Sequence, residues 1–182
     1  MARNDSTTVR STVTASGNDV ENQRRADAWT ATRAADLRFV LTQLTAMDRG
    51  MLPANGARLT GRLDLRRVAV AGHSLGGAAA VQAAALDDRF RSAIDIDGFP
   101  RLAEAGAHHP PVLALVAHLS FTDAALYLPP VPSLFGTGGR SATIEVTERA
   151  SMAFLEATLN GRDHSALGQQ LAELGAVTEF GR

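Results

Sequence analysis

Apolar and polar positions follow one another along the chain in blocks that fit helices and short buried strands. Residues 21–47 carry apolar side chains at spacings of three and four, which predicts a first helix lying on one face of a sheet; these are Trp29, Leu37, Val40, Leu41, Leu44 and Met47. Apolar runs at 68–71, 92–96 and 112–117 have the length of strands, and the last is typical of a strand covered on both faces. Further helical patterns occupy 78–86, 144–159 and a short stretch from 163 or 165 to 174. This alternation predicts an α/β fold, with a mainly parallel sheet and helices on both faces.

The N-terminal segment and the overall composition indicate which classes of protein the chain can belong to. Residues 1–20 are polar and rich in Ser and Thr, so we predict a flexible segment followed by one domain at 21–182. The chain shows no signal peptide and no run of 18 apolar residues, so no integral membrane segment is expected; localisation stays unknown, with the cytoplasm as default. A net charge of -1 gives no electrostatic reason to expect nucleic acid as a partner. The absence of cysteine excludes disulfides and thiol chemistry.

Residues 72–76 read Gly-His-Ser-Leu-Gly, which fits the nucleophile-elbow motif G-x-S-x-G. An apolar run precedes the motif and a run without helix breakers follows it, as its strand–turn–helix context requires. A serine on so tight a turn is strained, and glycine at both flanks removes side chains that would clash. We predict Ser74 as a nucleophile and the N–H of Leu75 as an oxyanion donor. A glycine-rich turn with an incidental serine is the alternative.

One candidate catalytic side chain follows each predicted strand. Ser74 follows the first strand, Asp97 ends the second, and His118 comes directly after the third. The carboxyl ends of parallel strands lie along one edge of a sheet, about 4.8 Å from strand to strand, so these three groups can meet above that edge. His118 would accept the proton of Ser74, and Asp97 would orient the imidazole. The order Ser, Asp, His along the chain is that of α/β-hydrolase triads.

Other titratable residues compete for these roles. Asp95 precedes Asp97 by two residues on the same predicted strand, and a partnered polar residue within the strand is its simpler interpretation. Of the remaining histidines, His73 is interpreted as a packing or hydrogen-bonding residue, and His108 and His109 as solvated loop residues. His164 is interpreted as a surface residue, with the role of catalytic base as an open alternative. No histidine pair has metal-ligand spacing beside carboxylates, and no phosphate-binding loop is present. We therefore predict neither a metal nor another cofactor.

Three separate segments resemble the platelet-activating factor acetylhydrolase group of α/β-hydrolases and its bacterial lipase-like relatives. They are residues 63–78 around the elbow, residues 88–98 with Ile-Asp-Ile-Asp-Gly, and residues 118–123, which fit His-x-x-Phe-x-Asp. The helical pattern around residues 36–41 is similar to that family as well. The resemblance implies that Asp97 is the acid and His118 the base. It also implies a serine esterase that cleaves short acyl or lipid esters through an acyl-enzyme.

The chain departs from the family pattern in two places. Nothing before residue 21 resembles the family's N-terminal half, which supplies several strands and the second oxyanion donor, and the predicted strand at 112–117 runs straight into His118. We therefore expect an α/β-hydrolase-like fold that is incomplete, truncated at the N-terminus and shortened before the histidine. Two alternatives stay open: a cutinase- or dienelactone-hydrolase-like esterase, and a non-catalytic remnant that forms a homo-oligomer through an open sheet edge. Phe99, Leu119 and Phe121 are predicted to line the substrate pocket, and a place in the hydrophobic core is the alternative for them.

Overall fold

A three-stranded parallel sheet forms the centre of the part of the chain that the computed structural model describes, which is residues 16–52, 57–98, 108–115, 140–162 and 164–175. The strands stand in the order β1 (Val68–His73), β2 (Phe90–Ile96) and β3 (Val112–Leu115). The helices are α1 (Asp19–Asp48), α2 (Leu75–Leu86), α3 (Arg140–Asn160) and α4 (His164–Ala172), with a short 3-10 helix at Ala57–Leu59. The predicted α/β class and parallel sheet are confirmed.

Helices cover both faces of the sheet, as the sequence predicts. Successive residues of β2 point to opposite sides, because side chains alternate along a strand. Ala93 packs into a cluster with residues of α1 and α2, whereas Ile94 packs into a second cluster with residues of α3. The central strand is therefore buried on both faces and lies between the two helical layers.

The two layers are offset, which leaves part of the outer strands uncovered. Val70 of β1 belongs to the α1–α2 cluster, and Leu113 of β3 belongs to the α3–α4 cluster. Val112 and Ala114, on the opposite face of β3, are exposed, Val112 by 41%. The prediction that this strand is covered on both faces is therefore wrong for the described residues 112–115, because α2 lies over β1 and β2 and does not extend to β3.

Helix α1 begins and ends close to the predicted limits of 21 and 47, but its buried face differs from the prediction. The Asn18 side chain caps it by accepting a hydrogen bond from the N–H of Glu21, at 3.1 Å. Thr30, Ala34 and Leu41 form the buried seam, whereas Trp29 and Val40 are 39% and 51% exposed. Two of these three residues, Thr30 and Ala34, have small side chains, which suits a helix that packs on the alanine-rich α2 rather than directly on the sheet, because small side chains let two helices approach closely.

The C-terminal helices close the second layer. Gly161, with φ +68°, follows α3 in the left-handed conformation that ends many helices, so the predicted stop at this glycine is confirmed. The start of α3 was predicted four residues too late, since the helix begins at Arg140. Leu167 and Leu171 of α4, together with Leu174 just after it, pack against the second cluster.

A buried carboxylate at the end of α2 ties the first layer together. Asp87 accepts hydrogen bonds from the guanidinium of Arg89 at 2.6 and 2.8 Å, and the Nε of Arg38 on α1 lies 3.6 Å away. Arg89 also donates to the hydroxyl of Thr42 on α1, at 3.2 Å. The hydrogen bonds from Arg89 hold the pKa of Asp87 below its ordinary value, although burial opposes them. A folded-state pKa below the unfolded one stabilises the fold wherever the carboxylate is ionised.

Asp87→Asn is expected to lower the free energy of unfolding by about 1–3 kcal/mol at pH 7, because the charged hydrogen bonds from Arg89 and the ion pair with Arg38 are weakened or lost. The stabilisation from a depressed pKa is present above about pH 4 and disappears as pH falls through the folded-state pKa, so the variant and the parent should converge in acid. Urea unfolding from pH 7 down to pH 3 measures the difference. The exposed neighbour Asp88→Asn changes the net charge equally and serves as the control; an equal loss there would contradict the assignment.

Several expectations about organisation stay predictions. Residues 1–15 lie outside the described residues, so the flexible segment and the boundary near residue 20 are not tested. Within the described sheet β1 pairs only with β2, and a homo-oligomer through the other edge of β1 remains a prediction. Among the helices that the structure describes, none combines the length and the apolar character needed to cross a bilayer.

Candidate active site

The turn between β1 and α2 holds Ser74 in a strained conformation. Ser74 has φ 57° and ψ −127°, directly after the last residue of β1 and directly before the first residue of α2. A residue with a Cβ in such a region costs on the order of 1–3 kcal/mol and persists only where its surroundings hold it there. The strand–turn–helix context that the elbow motif requires is therefore present, with the serine at its sharpest point.

Glycines make this turn possible, although not the pair that the motif suggests. A Cβ at Gly72 would lie 2.1 Å from the carbonyl oxygen of Gly76, and one at Gly77 would lie 2.0 Å from Oδ1 of Asp95. A Cβ at Gly76 would meet no described atom within 4 Å. The expectation that glycine is needed at both flanks thus holds for Gly72 and is wrong for Gly76. Gly77, outside the five-residue motif, is the second position that needs glycine.

Gly72→Ala is expected to lower the free energy of unfolding by about 3 kcal/mol, because its methyl group would overlap backbone atoms that cannot move aside without opening the turn. Gly76→Ala is the matched control: it adds the same methyl group in open space within α2, where alanine is the better helix former, so stability should be unchanged or slightly higher. Chemical denaturation of both variants measures the difference. Equal losses in the two would contradict the steric account.

The strand ends bring Ser74 and Asp97 to the same level of the sheet. His73, Ile96 and Leu115 lie opposite one another in the registers of the two strand pairs. One residue further, the N–H of Ser74 donates to the carbonyl of Ile96 at 2.9 Å, and the N–H of Asp97 donates to the carbonyl of Leu115 at 2.6 Å. The two residues therefore leave neighbouring strands side by side, and strands in a sheet are about 4.8 Å apart.

The two aspartates of β2 and its end have different surroundings. Asp97 is half-buried, with a positive φ of 49° that turns the chain away from the strand. Asp95 is only 1% exposed on the face that carries α2, and its Oδ1 accepts a hydrogen bond from the N–H of Gly98 at 2.8 Å. Burial raises the pKa of Asp95; the Gly98 N–H acts in the opposite direction, and the nearby Asp97 raises it further. The simpler interpretation of Asp95, a partnered carboxylate within the strand, agrees with these contacts.

The first turn of α2 presents backbone donors at the same edge. Its first hydrogen bonds run from the N–H groups of Gly77 and Ala78 to the carbonyl of Ser74, at 2.9 and 3.2 Å. The N–H of Leu75 precedes these bonds, at the positive end of the helix dipole, where it has no partner within the helix. Such an N–H can donate to an anionic oxygen that forms beside the serine.

The remaining predicted site residues lie outside the described residues: His118, Phe99, Leu119 and Phe121. The other histidines fall in different places. His73 is half-buried in β1, His109 is exposed, and His164 begins α4. His108 was expected to be solvated, but its Nε2 lies 3.3 Å from the carbonyl oxygen of Phe90, to which it can donate. This histidine therefore joins the loop before β3 to the start of β2.

A separate cavity of about 470 Å³ lies between α3 and α4, lined in part by Met152, Glu156, Arg162 and Leu167. Arg162 and Glu156 form an ion pair at 3.0 Å at its wall. None of the described residues that line it comes from the strand ends that carry Ser74 and Asp97. The described lining of this cavity therefore lies on α3, on α4 and between them, and not on the turn that carries Ser74.

Comparison with known proteins supports the resemblance found in the sequence. Residues 33–105 match the family model of platelet-activating factor acetylhydrolase, isoform II. Among solved structures, ferulic acid esterase from Streptomyces cinnamoneus is similar, with a TM-score of 0.59 and 30% identity over 84% of this chain and 53% of the esterase. The chain thus spans about half the length of that enzyme. No curated protein matches the chain significantly. Over residues 33–105 the chain is therefore similar in sequence to platelet-activating factor acetylhydrolases, and the fold of the described residues is α/β-hydrolase-like.

Proposed function

We propose that the chain is a serine carboxylic ester hydrolase that acts through an acyl-enzyme on Ser74. The observation that carries the proposal is the strained Ser74 between β1 and α2, level with Asp97 at the end of the neighbouring strand. Strain of this kind in a non-glycine residue is found mostly at functional sites. The similarity to an esterase, and to a family of acetylhydrolases, gives the reaction class.

The proposed reaction needs one base and one acid beside the serine. His118 accepts the proton from Oγ of Ser74 as that oxygen attacks the ester carbonyl, and Asp97 orients the imidazole and stabilises its charged form. The N–H of Leu75 donates to the oxyanion of the tetrahedral intermediate. The intermediate collapses as His118 returns the proton to the leaving alcohol, which leaves the acyl group on Ser74. Water, activated by the same histidine, then hydrolyses the acyl-enzyme and restores the serine.

The assignment of His118 as the base rests on its place in the chain. Leu115 is the last described residue of β3 and lies level with Ile96, so the segment after it starts at the same edge as Ser74 and Asp97. His118 follows three residues later and begins the His-x-x-Phe-x-Asp motif that resembles the acetylhydrolase family. These facts support His118 over the four other histidines of the chain, which include the alternative base His164.

Two substrate classes are favoured by different observations. The family match favours short acyl groups on lipid or small-molecule esters, whereas the similar structure is named as an esterase of ferulic acid, an aromatic acyl group. Both are carboxylic esters and share the steps above. We propose that Phe99, Leu119 and Phe121 contact the acyl group, since all three sit in the segments that follow β2 and β3.

Covalent labelling tests the proposal directly. The purified chain is treated with a fluorophosphonate probe, which reacts with activated serines, and the adduct is located by peptide mass spectrometry. One adduct on Ser74 is expected, together with hydrolysis of p-nitrophenyl acetate; methyl ferulate and an acetyl phospholipid then separate the two substrate classes. A folded protein without an adduct would contradict the proposal and favour a non-catalytic remnant of the fold.

A further inference from the structure

The buried carboxylate of Asp95 occupies a space that two glycines leave open. Its Oδ1 accepts the N–H of Gly98 at 2.8 Å. The same oxygen would lie 2.0 Å from a Cβ at Gly77 and 2.4 Å from a Cβ at Gly98. A side chain at either position would therefore expel this oxygen, so the carboxylate, the first turn of α2 and the turn after β2 fit together only as they stand.

Gly98 also rests directly on the elbow. A Cβ at this position would lie 2.6 Å from the amide nitrogen of Ala78 and 2.7 Å from the carbonyl oxygen of Ser74. The turn after β2 is thus in contact with the backbone that sets the position of the serine. We call the contact of Asp95, Gly98 and the first turn of α2 the 95–98 clamp.

We propose that Asp95 is a positioning residue, whose carboxylate oxygen anchors Gly98 on the first turn of α2 and thereby fixes Asp97 relative to Ser74. The inference rests on the proposed function, since it concerns the geometry of the proposed acid and nucleophile. It assigns Asp95 no contact with substrate and no proton to transfer.

The backbone conformation of Asp97 explains why the side chain of Asp95 can affect the proposed site. The φ of Asp97, 49°, lies in the left-handed region, which costs energy for a residue with a Cβ even though aspartate tolerates it better than most, so hydrogen bonds on either side of Asp97 help to hold it there. The bond from its N–H to Leu115 holds one side, and the bond from Gly98 to Asp95 holds the other. Loss of the second bond lets the turn relax towards ordinary angles and carries the Asp97 carboxylate away from its place. A misplacement of about 1 Å in a catalytic constellation can cost about 10²-fold in rate.

A second buried polar residue on the same strand supplies a matched control. Ser92 is fully buried, like Asp95, but it faces the opposite layer, where its Oγ accepts a hydrogen bond from Thr158 of α3 at 3.1 Å. Removal of either side chain loses a buried hydrogen bond in β2. Only the loss of the hydrogen bond at Asp95 should change the structure at the strand ends that carry the proposed site.

The test compares Asp95→Ala, Asp95→Asn and Ser92→Ala by the rate constant of fluorophosphonate labelling and by amide hydrogen exchange at Gly98. Asp95→Ala is expected to slow labelling by about 10- to 100-fold and to speed exchange at Gly98. Asp95→Asn keeps an oxygen acceptor for Gly98 and should recover most of the rate and the protection. Ser92→Ala should lower the melting temperature while it leaves labelling of the folded protein and exchange at Gly98 unchanged.

Labelling of folded Asp95→Ala at the parent rate would overturn the inference, as would an Asp95→Asn variant that is as slow as Asp95→Ala. If Asp95→Ala does not fold, Asp95→Leu replaces it with the same expected outcomes, because leucine is similar in shape to aspartate but accepts no hydrogen bond from Gly98. An unlabelled parent protein would refute the proposed function instead. In that case hydrogen exchange alone tests the 95–98 clamp. Equal exchange rates at Gly98 in the parent and in Asp95→Ala would show that Asp95 does not hold this turn, and a faster rate in the variant would show that it does.

Discussion

Ser74→Ala is expected to reduce hydrolysis of p-nitrophenyl acetate by about 10⁴-fold or more and to remove the fluorophosphonate adduct. The hydroxyl oxygen is the atom that forms the acyl-enzyme, and no other group in the proposed reaction can replace it. Alanine retains the Cβ, so the strained backbone of the elbow is equally unfavourable in both proteins and the fold should be preserved. Initial rates, intact mass after labelling and circular dichroism measure these effects together.

Ser151→Ala provides the control for this substitution, because Ser151 lies on α3 and is no part of the elbow between β1 and α2. The Ser151→Ala variant should be labelled by the probe, and should hydrolyse p-nitrophenyl acetate, at the same rates as the parent protein. If Ser74→Ala still hydrolyses the ester and the probe labels a different residue, the nucleophile is that other residue. Loss of activity in both variants would indicate damage to the fold rather than removal of a nucleophile.

The sequence predicts the elements well because each leaves a local pattern of spacing. Apolar runs locate β1 and β2, and helical spacing locates α1 and α3 to within a few residues. α3 begins four residues before its predicted start, and α2 begins at Leu75, three residues before its own, where the reason is local. Gly76 and Gly77 hide this start, since glycine locally indicates a turn, and only contact with Asp95 shows why α2 tolerates Gly77.

Contacts between elements account for what the sequence does not predict. The need for glycine at positions 77 and 98 depends on Oδ1 of Asp95, and this follows only once β2 is in register beside β1 and α2 lies on top. The exposure of Trp29 and Val40 likewise follows from the packing of α1 on α2 rather than directly on the sheet, which the periodicity within α1 does not reveal. The side-by-side placement of Ser74 and Asp97, by contrast, follows from the parallel order of strands alone, which the sequence predicts.

Asp97→Asn is expected to lower kcat by about 10⁴-fold and to leave KM nearly unchanged. An amide in place of the carboxylate neither stabilises the imidazolium nor selects the tautomer that accepts the serine proton, so the loss falls on the chemical step. Steady-state kinetics with p-nitrophenyl acetate measure both constants. The slower labelling of Ser74 by a fluorophosphonate provides a second readout that needs no turnover.

Asp95→Asn makes the same chemical change two residues earlier on the same stretch of chain and is the matched control. It retains an acceptor for Gly98, so most of kcat should remain, whereas Asp97→Asn loses a charge that the proposed reaction uses. The opposite pattern, with an active Asp97→Asn and an inactive Asp95→Asn, would make Asp95 the acid. That result would require the buried carboxylate to reach the histidine past Gly98 and the first turn of α2, which fill the space around its Oδ1. The kinetic comparison of the two variants therefore decides between a carboxylate that acts beside the histidine and one that holds the turn on which it stands.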